Sequence, residues 1–181
     1  YMQLEGGPRH YKLNPTALIY NKMVKSLGDI SGKSVLEYGC GTGWITIDLA
    51  SRGGFIDSFD ISQVAVERTT RLLEKKGLAK KCRIIKMSAE KLDYPDNTFD
   101  IIIGFAILHH LDLDLAMPEM NRVLKSDGIA IFAEPLGSNP IINFYRKLTP
   151  QYRTTDETPI IINDFIRYTH EFSNFSHNEI Y

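Results

Sequence analysis

The segment VLEYGCGTG at residues 35–43 decides the fold, because it places three glycines at alternate positions between an apolar run and a helical pattern. Gly39, Gly41 and Gly43 fall where a predicted strand ends and a predicted helix begins. Glycine reaches positive φ without steric cost, and its missing Cβ lets backbone N–H groups approach a ligand at a helix N-terminus. The spacing is G-x-G-x-G and not the dinucleotide pattern G-x-G-x-x-G, since Trp44 stands at the completing position. The segment predicts a ligand-binding loop, the alternative being a tight turn with no chemical role.

From residue 33 onward, short apolar runs alternate with longer helical patterns, which is typical of β-α-β units and a parallel sheet. The predicted strands cover residues 34–38, 55–60, 82–86, 99–104 and 129–134, and a further short strand is expected at 175–181. The predicted helices cover residues 15–27, 44–51, 62–76, 114–125, 141–148 and 163–171, and a turn follows at 125–128. Ser62 is a candidate N-cap, and Gly28 and Gly77 are stop signals. We predict an α/β fold, with a doubly wound, Rossmann-like, mostly parallel sheet and helices on both faces.

Polar residues follow the second and third predicted strands. Asp60 closes the second strand, 17 residues after Gly43, and a carboxylate there can accept two hydrogen bonds from ribose hydroxyls. Its alternative role is as the N-cap of the next helix, which Ser62 could fill instead. The sequence Met87-Ser88-Ala89-Glu90 after the third strand is small and polar. It would suit the edge of an adenine, or it is a plain loop.

The composition excludes several classes of protein. The 181 residues are 43% hydrophobic and 24% charged, which is the profile of one globular domain. With 21 Lys and Arg against 22 Asp and Glu, the net charge of −1 argues against nucleic-acid binding. The longest apolar run, residues 101–108, is far shorter than the roughly 20 residues of a membrane span. The two cysteines predict no disulfide framework and no metal site, and they suit a reducing, cytoplasmic location. The first residue is Tyr and not Met, so we expect a piece of a longer chain.

Together these segments resemble the class I S-adenosylmethionine-dependent methyltransferases, and within them the small-molecule group of the methyltransferase type 11, or ubiquinone/biotin-pathway, kind. The matching segments lie in the family's order and spacing across residues 33–135: 35–43, 59–62, 88–90, 92–100, 108–111 and 122–125. The resemblance implies S-adenosylmethionine as the cofactor and transfer of its methyl group to O, N or C of a small-molecule acceptor. This sequence departs from the family pattern in having Glu37 for the commoner Asp, a bulky Tyr38, and Lys-Ser-Asp-Gly for Lys-Pro-Gly-Gly.

The resemblance also implies which residues would bind the cofactor. Three glycines would pass under its methionine part, Glu37 would order the loop and the amino group, and Asp60 would hold the ribose. Ile61 and Met87 would lie on the two faces of the adenine, Ser88 and Ala89 at its edge, and Phe105 beside the sulfonium. The full implied set is Glu37, Gly39, Gly41, Gly43, Asp60, Ile61, Met87, Ser88, Ala89 and Phe105.

A neutral acceptor must lose a proton, which calls for a general base. His109 and His110 follow the fourth strand, where the family places its acceptor-side groups, and we predict His109 as the base and His110 as the second candidate. Adjacent histidines point in different directions on a helix or strand, so only one is expected to face the acceptor. The predicted substrate-binding residues are Glu134, at the end of the fifth strand, His110, and Tyr11, which would belong to a lid. The alternatives are a packing histidine pair and a solvated strand end.

We predict one methyltransferase domain over residues 1–181. Residues 1–32 would form a lid and helix, 33–135 the cofactor-binding core, and 136–181 a substrate-shaping insertion with an incomplete C-terminal hairpin. The family's sheet has seven strands, so this chain is expected to lack the last one and to leave an unpaired edge beside strand five. Three alternatives remain: a nucleic-acid methyltransferase, a protein methyltransferase, and a non-catalytic S-adenosylmethionine-binding module. No membrane span is expected, although the apolar face of 141–148 could touch a membrane surface, and the oligomeric state stays open.

Overall fold

Helices and strands alternate along the chain. The computed structural model describes residues 15–135 and, beyond them, 144, 148, 160–161, 165–168 and 172–177. The elements are α1 (Pro15–Leu27), β1 (Ser34–Tyr38), α2 (Trp44–Ser51), β2 (Phe55–Asp60), α3 (Gln63–Lys75), β3 (Cys82–Lys86), β4 (Phe99–Phe105), α4 (Leu113–Val123) and β5 (Leu124–Ala133). Two short 3-10 turns, Ala79–Lys81 and Leu108–His110, precede β3 and α4.

The five strands form one parallel sheet in the order β3-β2-β1-β4-β5. The chain moves outward from β1 to β3 and then returns to place β4 on the other side of β1, so the strand order reverses between β1 and β4. In open α/β sheets, ligands bind outside the carboxyl ends of the strands at such a reversal. The predicted doubly wound fold is confirmed, and it directs attention to the segments that follow β1, β2, β3 and β4.

The side chains of β1 alternate between two apolar cores, one on each face of the sheet. Leu36 and Tyr38 pack into the core that includes α4, whereas Val35 packs into the core formed with α1 and α2. Successive side chains of a strand point to opposite faces, so Glu37 shares the face of Val35. The fold therefore directs the carboxylate of β1 into the interior on the α2 side.

The first half of the described chain follows the sequence predictions closely. The bounds of β1, β2, β3, α1 and α2 are those predicted. Ser62 is the N-cap of α3, since its hydroxyl accepts a hydrogen bond from the Ala65 N–H at 3.4 Å. Gly28 and Gly77 both have positive φ, at 67° and 70°, just after their helices. The helix stop signals are thus confirmed.

The predicted turn at residues 125–128 is wrong, because α4 ends at Val123 and these residues lie within β5. Phe99 pairs with Leu124 and Ile101 pairs with Ile129. Four residues of β5, 125–128, therefore lie between these pairs where β4 has only one residue. The Lys-Ser-Asp-Gly sequence is accommodated as a bulge in the strand. A Cβ on Gly128 would lie 2.9 Å from the Lys125 carbonyl oxygen, which explains why a turn-type residue occupies the bulge.

Other predicted bounds shift at their ends. β4 extends one residue further, to Phe105, and β5 begins at Leu124 and ends one residue before Glu134. Beyond residue 135, positions 144 and 148 are helical, as are residues 165–166, with a turn at 167–168. Residues 175–177 are not in a strand, so the described part of the predicted strand 175–181 is wrong, and the rest lies outside the described residues.

Strand β5 forms one margin of the sheet. Among the described residues it pairs only with β4, which agrees with a methyltransferase-like sheet that lacks its last strand. No helix in the described part of the chain combines the length and the apolar character that a membrane span requires.

Candidate active site

The loop of residues 39–43, here called the glycine loop, adopts the left-handed conformation that its composition predicts. The φ angles of Gly39, Gly41 and Gly43 are 77°, 46° and 82°. A Cβ on Gly43 would lie 2.8 Å from Thr69 Oγ1 and 3.3 Å from Thr69 Cα, so glycine allows α2 and α3 to approach each other. At Gly41, by contrast, an added Cβ would meet no atom of the described residues within 4 Å. The glycine loop is therefore packed against α3 at Gly43 and open at Gly41, among the described residues.

Asp60 joins the glycine loop to the start of α3. Its Oδ2 accepts a hydrogen bond from the Gly41 N–H at 3.0 Å, and its Oδ1 accepts one from the Ser62 N–H at 2.9 Å. An ionised carboxylate offers about four acceptor sites. The Cys40 thiol, a weak donor, also lies 4.0 Å from Oδ2, so at least one acceptor site of Asp60 is left for a ligand.

Glu37 is buried beneath the same loop, with 1% of its surface exposed. Its Oε2 accepts a hydrogen bond from the Thr46 hydroxyl at 2.5 Å, whereas its Oε1 has no hydrogen-bond partner in the described part of the chain. Burial raises the pKa of Glu37 to about 7, and the hydrogen bond from Thr46 opposes that shift. A buried carboxylate oxygen without a donor is costly, and a cationic donor would relieve that cost.

Cys40 lies inside the glycine loop but is poorly suited to act as a nucleophile. It is 3% exposed, and burial raises the pKa of its thiol to about 12. Nucleophilic cysteines need a lowered pKa, because the thiolate is the reactive form. Cys40 therefore lacks the property that a nucleophilic cysteine requires.

The residues predicted to surround an adenine lie after β2 and β3. Ile61 is 71% exposed, and Met87 donates its backbone N–H to the Asp60 carbonyl at 3.2 Å, so the two residues flank the same edge of the sheet. Ser88 donates its hydroxyl to the Glu90 carboxylate, and Ala89 is buried. An exposed isoleucine beside a half-buried methionine is an apolar surface of the kind that a purine ring covers.

Phe105 ends β4 and belongs to an aromatic cluster with Trp44 and Tyr20. The Trp44 ring lies edge-to-face with Phe105 at 5.9 Å and with Tyr20 at 4.6 Å between centroids. Tyr20 donates its hydroxyl to Asp48 at 2.7 Å, which fixes its ring. The residue predicted beside the sulfonium is therefore supported by α1 and α2.

His109 and Glu134 form a buried pair at the ends of β4 and β5. His109 Nδ1 lies 2.7 Å from Glu134 Oε2, and the two side chains are 8% and 7% exposed. Glu134 Oε1 accepts hydrogen bonds from the backbone N–H groups of Ile107 at 2.8 Å and Leu108 at 2.9 Å. Glu134, predicted to bind substrate, has both oxygens engaged within the protein.

The two histidine rings lie side by side. Their centroids are 4.2 Å apart with an interplanar angle of 39°, so the expectation that adjacent histidines diverge is wrong. The reason is local, because His109 and His110 lie in the 3-10 turn Leu108–His110 and in neither a strand nor an α-helix. His110 is the more exposed of the two.

Comparison with known proteins identifies the family. Residues 36–132 match the family described as a methyltransferase domain. The chain belongs to this family. The matched range contains the glycine loop, Asp60 and both histidines, and it ends two residues before Glu134.

Relatives of this methyltransferase-domain chain are named methyltransferases. It is 33% identical over 140 residues to the demethylmenaquinone methyltransferase of Lactobacillus johnsonii, which covers 72% of this chain and 57% of that protein. It is 32% identical over 132 residues to a sarcosine/dimethylglycine N-methyltransferase of Aphanothece halophytica, and the match covers 67% of this chain and 48% of that protein. This chain thus spans about half the length of these relatives.

A solved structure shares the fold. The YcgJ protein from Bacillus subtilis superimposes with a TM-score of 0.75 at 23% identity, covering 84% of this chain and 66% of that one. In the described residues of this methyltransferase domain, no three His, Cys, Asp or Glu side chains are grouped so that they could hold a metal ion.

Some residues of the site escaped the sequence prediction. Thr46, the buried partner of Glu37, is one, although a threonine in the otherwise apolar first turn of α2 could have drawn attention to it. The backbone N–H groups of Ile107 and Leu108 are others, and no residue type signals them. Tyr11, the predicted lid residue, lies outside the described residues.

Proposed function

We propose that this protein binds S-adenosylmethionine along the carboxyl ends of β1, β2 and β3 and transfers its methyl group to O, N or C of a small-molecule acceptor. The observation that carries the proposal is the open glycine loop flanked by two carboxylates with unused acceptor capacity. Among the described residues, no atom lies within 4 Å of a Cβ built on Gly41, and Glu37 Oε1 is buried without a donor. Asp60 accepts two backbone N–H groups and a long contact from the Cys40 thiol, which leaves at least one acceptor site.

The chemistry of these groups matches that of the cofactor. Its ammonium group would satisfy Glu37 Oε1, and its ribose hydroxyls would donate to Asp60. Ile61 and Met87 would cover the adenine, while Ser88 and Ala89 would lie at its edge. The φ values of Gly39, Gly41 and Gly43 support a close backbone approach to the methionine part.

When bound, S-adenosylmethionine supplies a methyl group on a positively charged sulfur that is already activated for in-line displacement. The chain's own task is then to orient the acceptor and to exclude water. Phe105 and Trp44 would provide an aromatic wall near the sulfur, in keeping with the attraction of aromatic faces for cations. His109 would take the proton that the acceptor loses.

A small-molecule acceptor is favoured by the names of the two relatives, one for a demethylmenaquinone and one for sarcosine and dimethylglycine. The two names describe chemically different acceptors, so the proposal is limited to the class. Free Cys40 and Cys82 favour action in a reducing, cytoplasmic compartment.

Residues beyond 135 are proposed to belong to the same domain and to shape the acceptor pocket. Ile160 and Tyr168 are 4% and 7% exposed and pack into the core on the α4 face. Tyr168 also donates its hydroxyl to Asp114 of α4 at 2.7 Å. These contacts support one domain that includes the C-terminal part.

Calorimetry with S-adenosylmethionine and S-adenosylhomocysteine tests the proposal. The wild type is expected to bind both, and Asp60→Ala should weaken each by about ten- to a hundredfold, as expected for the loss of hydrogen bonds to a charged group. Asp127→Ala is the matched control, since Asp127 is exposed in the β5 bulge at the opposite end of the sheet. Failure of the wild type to bind either compound would refute the proposal.

A further inference from the structure

Glu134 holds both the ring of His109 and the backbone that carries it. One carboxylate oxygen meets His109 Nδ1 at 2.7 Å, and the other accepts the N–H groups of Ile107 and Leu108. Three hydrogen bonds converge on a side chain that is 7% exposed. Both oxygens are thus engaged within the protein, and Glu134 contacts the site through His109 and the backbone beside it.

The chemistry of the carboxylate determines which ring nitrogen of His109 carries the hydrogen in this pair. An ionised carboxylate only accepts hydrogen bonds, so the nitrogen facing it must carry a hydrogen. Neutral imidazole has one N–H and one lone pair, and fixing the hydrogen on one nitrogen puts the lone pair on the other. With Nδ1–H donated to Glu134, the lone pair of His109 lies on Nε2.

We propose that Glu134 is a positioning residue that fixes His109 as the Nδ1–H tautomer and so makes Nε2 the proton-accepting atom of the site. A carboxylate bonded to Nδ1–H holds an imidazole in the form whose Nε2 can act as a base. The chemical purpose of the arrangement rests on the proposed methyl transfer. The tautomer itself does not depend on it.

The backbone around His109 supports a role in positioning. Ala106 has a φ of 53°, in the left-handed region that side-chain-bearing residues adopt only at a cost in conformational energy. Its N–H is tied to the Ala133 carbonyl at 2.8 Å, and the next two N–H groups are tied to Glu134. The end of β5 thus holds the bend that places His109 against the carboxylate.

The proton balance of the proposed step is simple for an acceptor that bears an O–H or N–H. The acceptor lone pair forms the new bond to the methyl carbon, and the pair of the broken C–S bond stays on sulfur, which becomes a neutral thioether. The acceptor's proton passes to His109 Nε2. The resulting imidazolium keeps Nδ1–H on Glu134, whose negative charge offsets the new positive charge.

Long-range ¹H–¹⁵N NMR of the histidine rings tests the tautomer without cofactor or acceptor. In the wild type at about pH 8, His109 is expected to show a protonated Nδ1 and an unprotonated Nε2. In Glu134→Gln, the amide oxygen can still accept from Ile107 and Leu108, but its NH₂ group would face Nδ1 as a donor. The pattern should therefore reverse to Nε2–H while the backbone anchor remains.

Two controls make the result specific. The chain has five histidines, and the signals of His109 are those that disappear in His109→Gln. Glu67→Gln makes the same chemical change on the exposed surface of α3 and should leave the His109 pattern as in the wild type. A wild-type His109 in the Nε2–H form, or an imidazolium with both nitrogens protonated, would overturn the proposal.

The test remains decisive if Glu134→Gln does not fold, because the wild-type spectrum alone can refute the tautomer. If the variant folds and His109 keeps the wild-type pattern, Glu134 does not set the tautomer and the proposal fails. Failure to bind S-adenosylmethionine would instead refute the proposed function and leave the tautomer unaffected. The two failures are therefore distinguishable.

Discussion

The two halves of the site differ in how much of their polar capacity the protein itself uses. At the glycine loop, the buried Glu37 Oε1 has no donor among the described residues. At the ends of β4 and β5, Glu134 accepts three hydrogen bonds from its own chain. A buried oxygen without a donor indicates a place for a ligand, whereas a carboxylate whose two oxygens are both engaged by the chain indicates a residue that positions its neighbours.

The largest effect should come from breaking the glycine loop on its closed side. Gly43→Ala places a Cβ at a φ of 82° and within 3.3 Å of Thr69 Cα, so strain and overpacking should together cost about 4 kcal/mol of unfolding free energy. Gly41→Ala meets no atom of the described residues and should lower the unfolding free energy by about 1 kcal/mol, but its Cβ would enter the space proposed for the cofactor. Urea unfolding and calorimetry with S-adenosylmethionine measure both effects. Equal losses of stability in the two variants would contradict this contrast within the loop.

The buried Glu37 predicts a pH dependence of the free energy of unfolding. Its pKa is raised from 4.5 to about 7 by burial, so the native state binds more protons than the unfolded state between these values. The stability contributed by protonated Glu37 is full below pH 4.5 and is lost as the pH rises through 7. The free energy of unfolding should fall by about 3 kcal/mol across this window, and Glu37→Gln should remove that component.

The same carboxylate links pH to cofactor binding. A bound ammonium group favours the ionised form of Glu37, so affinity for S-adenosylmethionine should rise from about pH 5 to about pH 8 in the wild type. Glu37→Gln keeps a side chain that can accept from Thr46 but cannot ionise, and its affinity should vary less over the same range. Thr46→Val, which removes the hydrogen bond but not the charge, is the control that should retain the pH dependence. An unchanged slope in Glu37→Gln would show that Glu37 does not contact the ammonium group.

The sequence predicts the backbone of the glycine loop and the start of α3 well, because the information for both is local. Gly39, Gly41 and Gly43 encode their own backbone conformation, and Ser62 is identified as an N-cap by its position before an amphipathic helix. The spacing from Gly43 to Asp60 follows from one helix and one strand of ordinary length. Such features need no knowledge of distant contacts.

The half of the site at the ends of β4 and β5 is harder to predict, because its contacts join residues far apart in sequence. Glu134 meets Ile107, 27 residues earlier, and its partners there are backbone N–H groups that every residue type except proline supplies. Residues 125–128 have a composition typical of turns but form a bulge in β5, and that bulge depends on the pairing of β5 with β4. The histidine pair depends on a 3-10 turn that periodicity does not distinguish from a strand end.

A pair of matched tyrosine substitutions gives the smallest effects. It compares a buried hydroxyl that has no hydrogen-bond partner among the described residues, on β1, with one that is bonded to α4. The buried hydroxyl of Tyr38 has no hydrogen-bond partner in the described residues, so Tyr38→Phe should raise the free energy of unfolding by about 1 kcal/mol. Tyr168 donates its hydroxyl to Asp114 at 2.7 Å, so Tyr168→Phe should lower it by about the same amount. Opposite shifts of one cooperative urea transition would also place residue 168 in the same folding unit as β1. A Tyr168→Phe variant with wild-type stability would instead separate the C-terminal part from that unit, and the acceptor pocket would then have to be sought within residues 15–135.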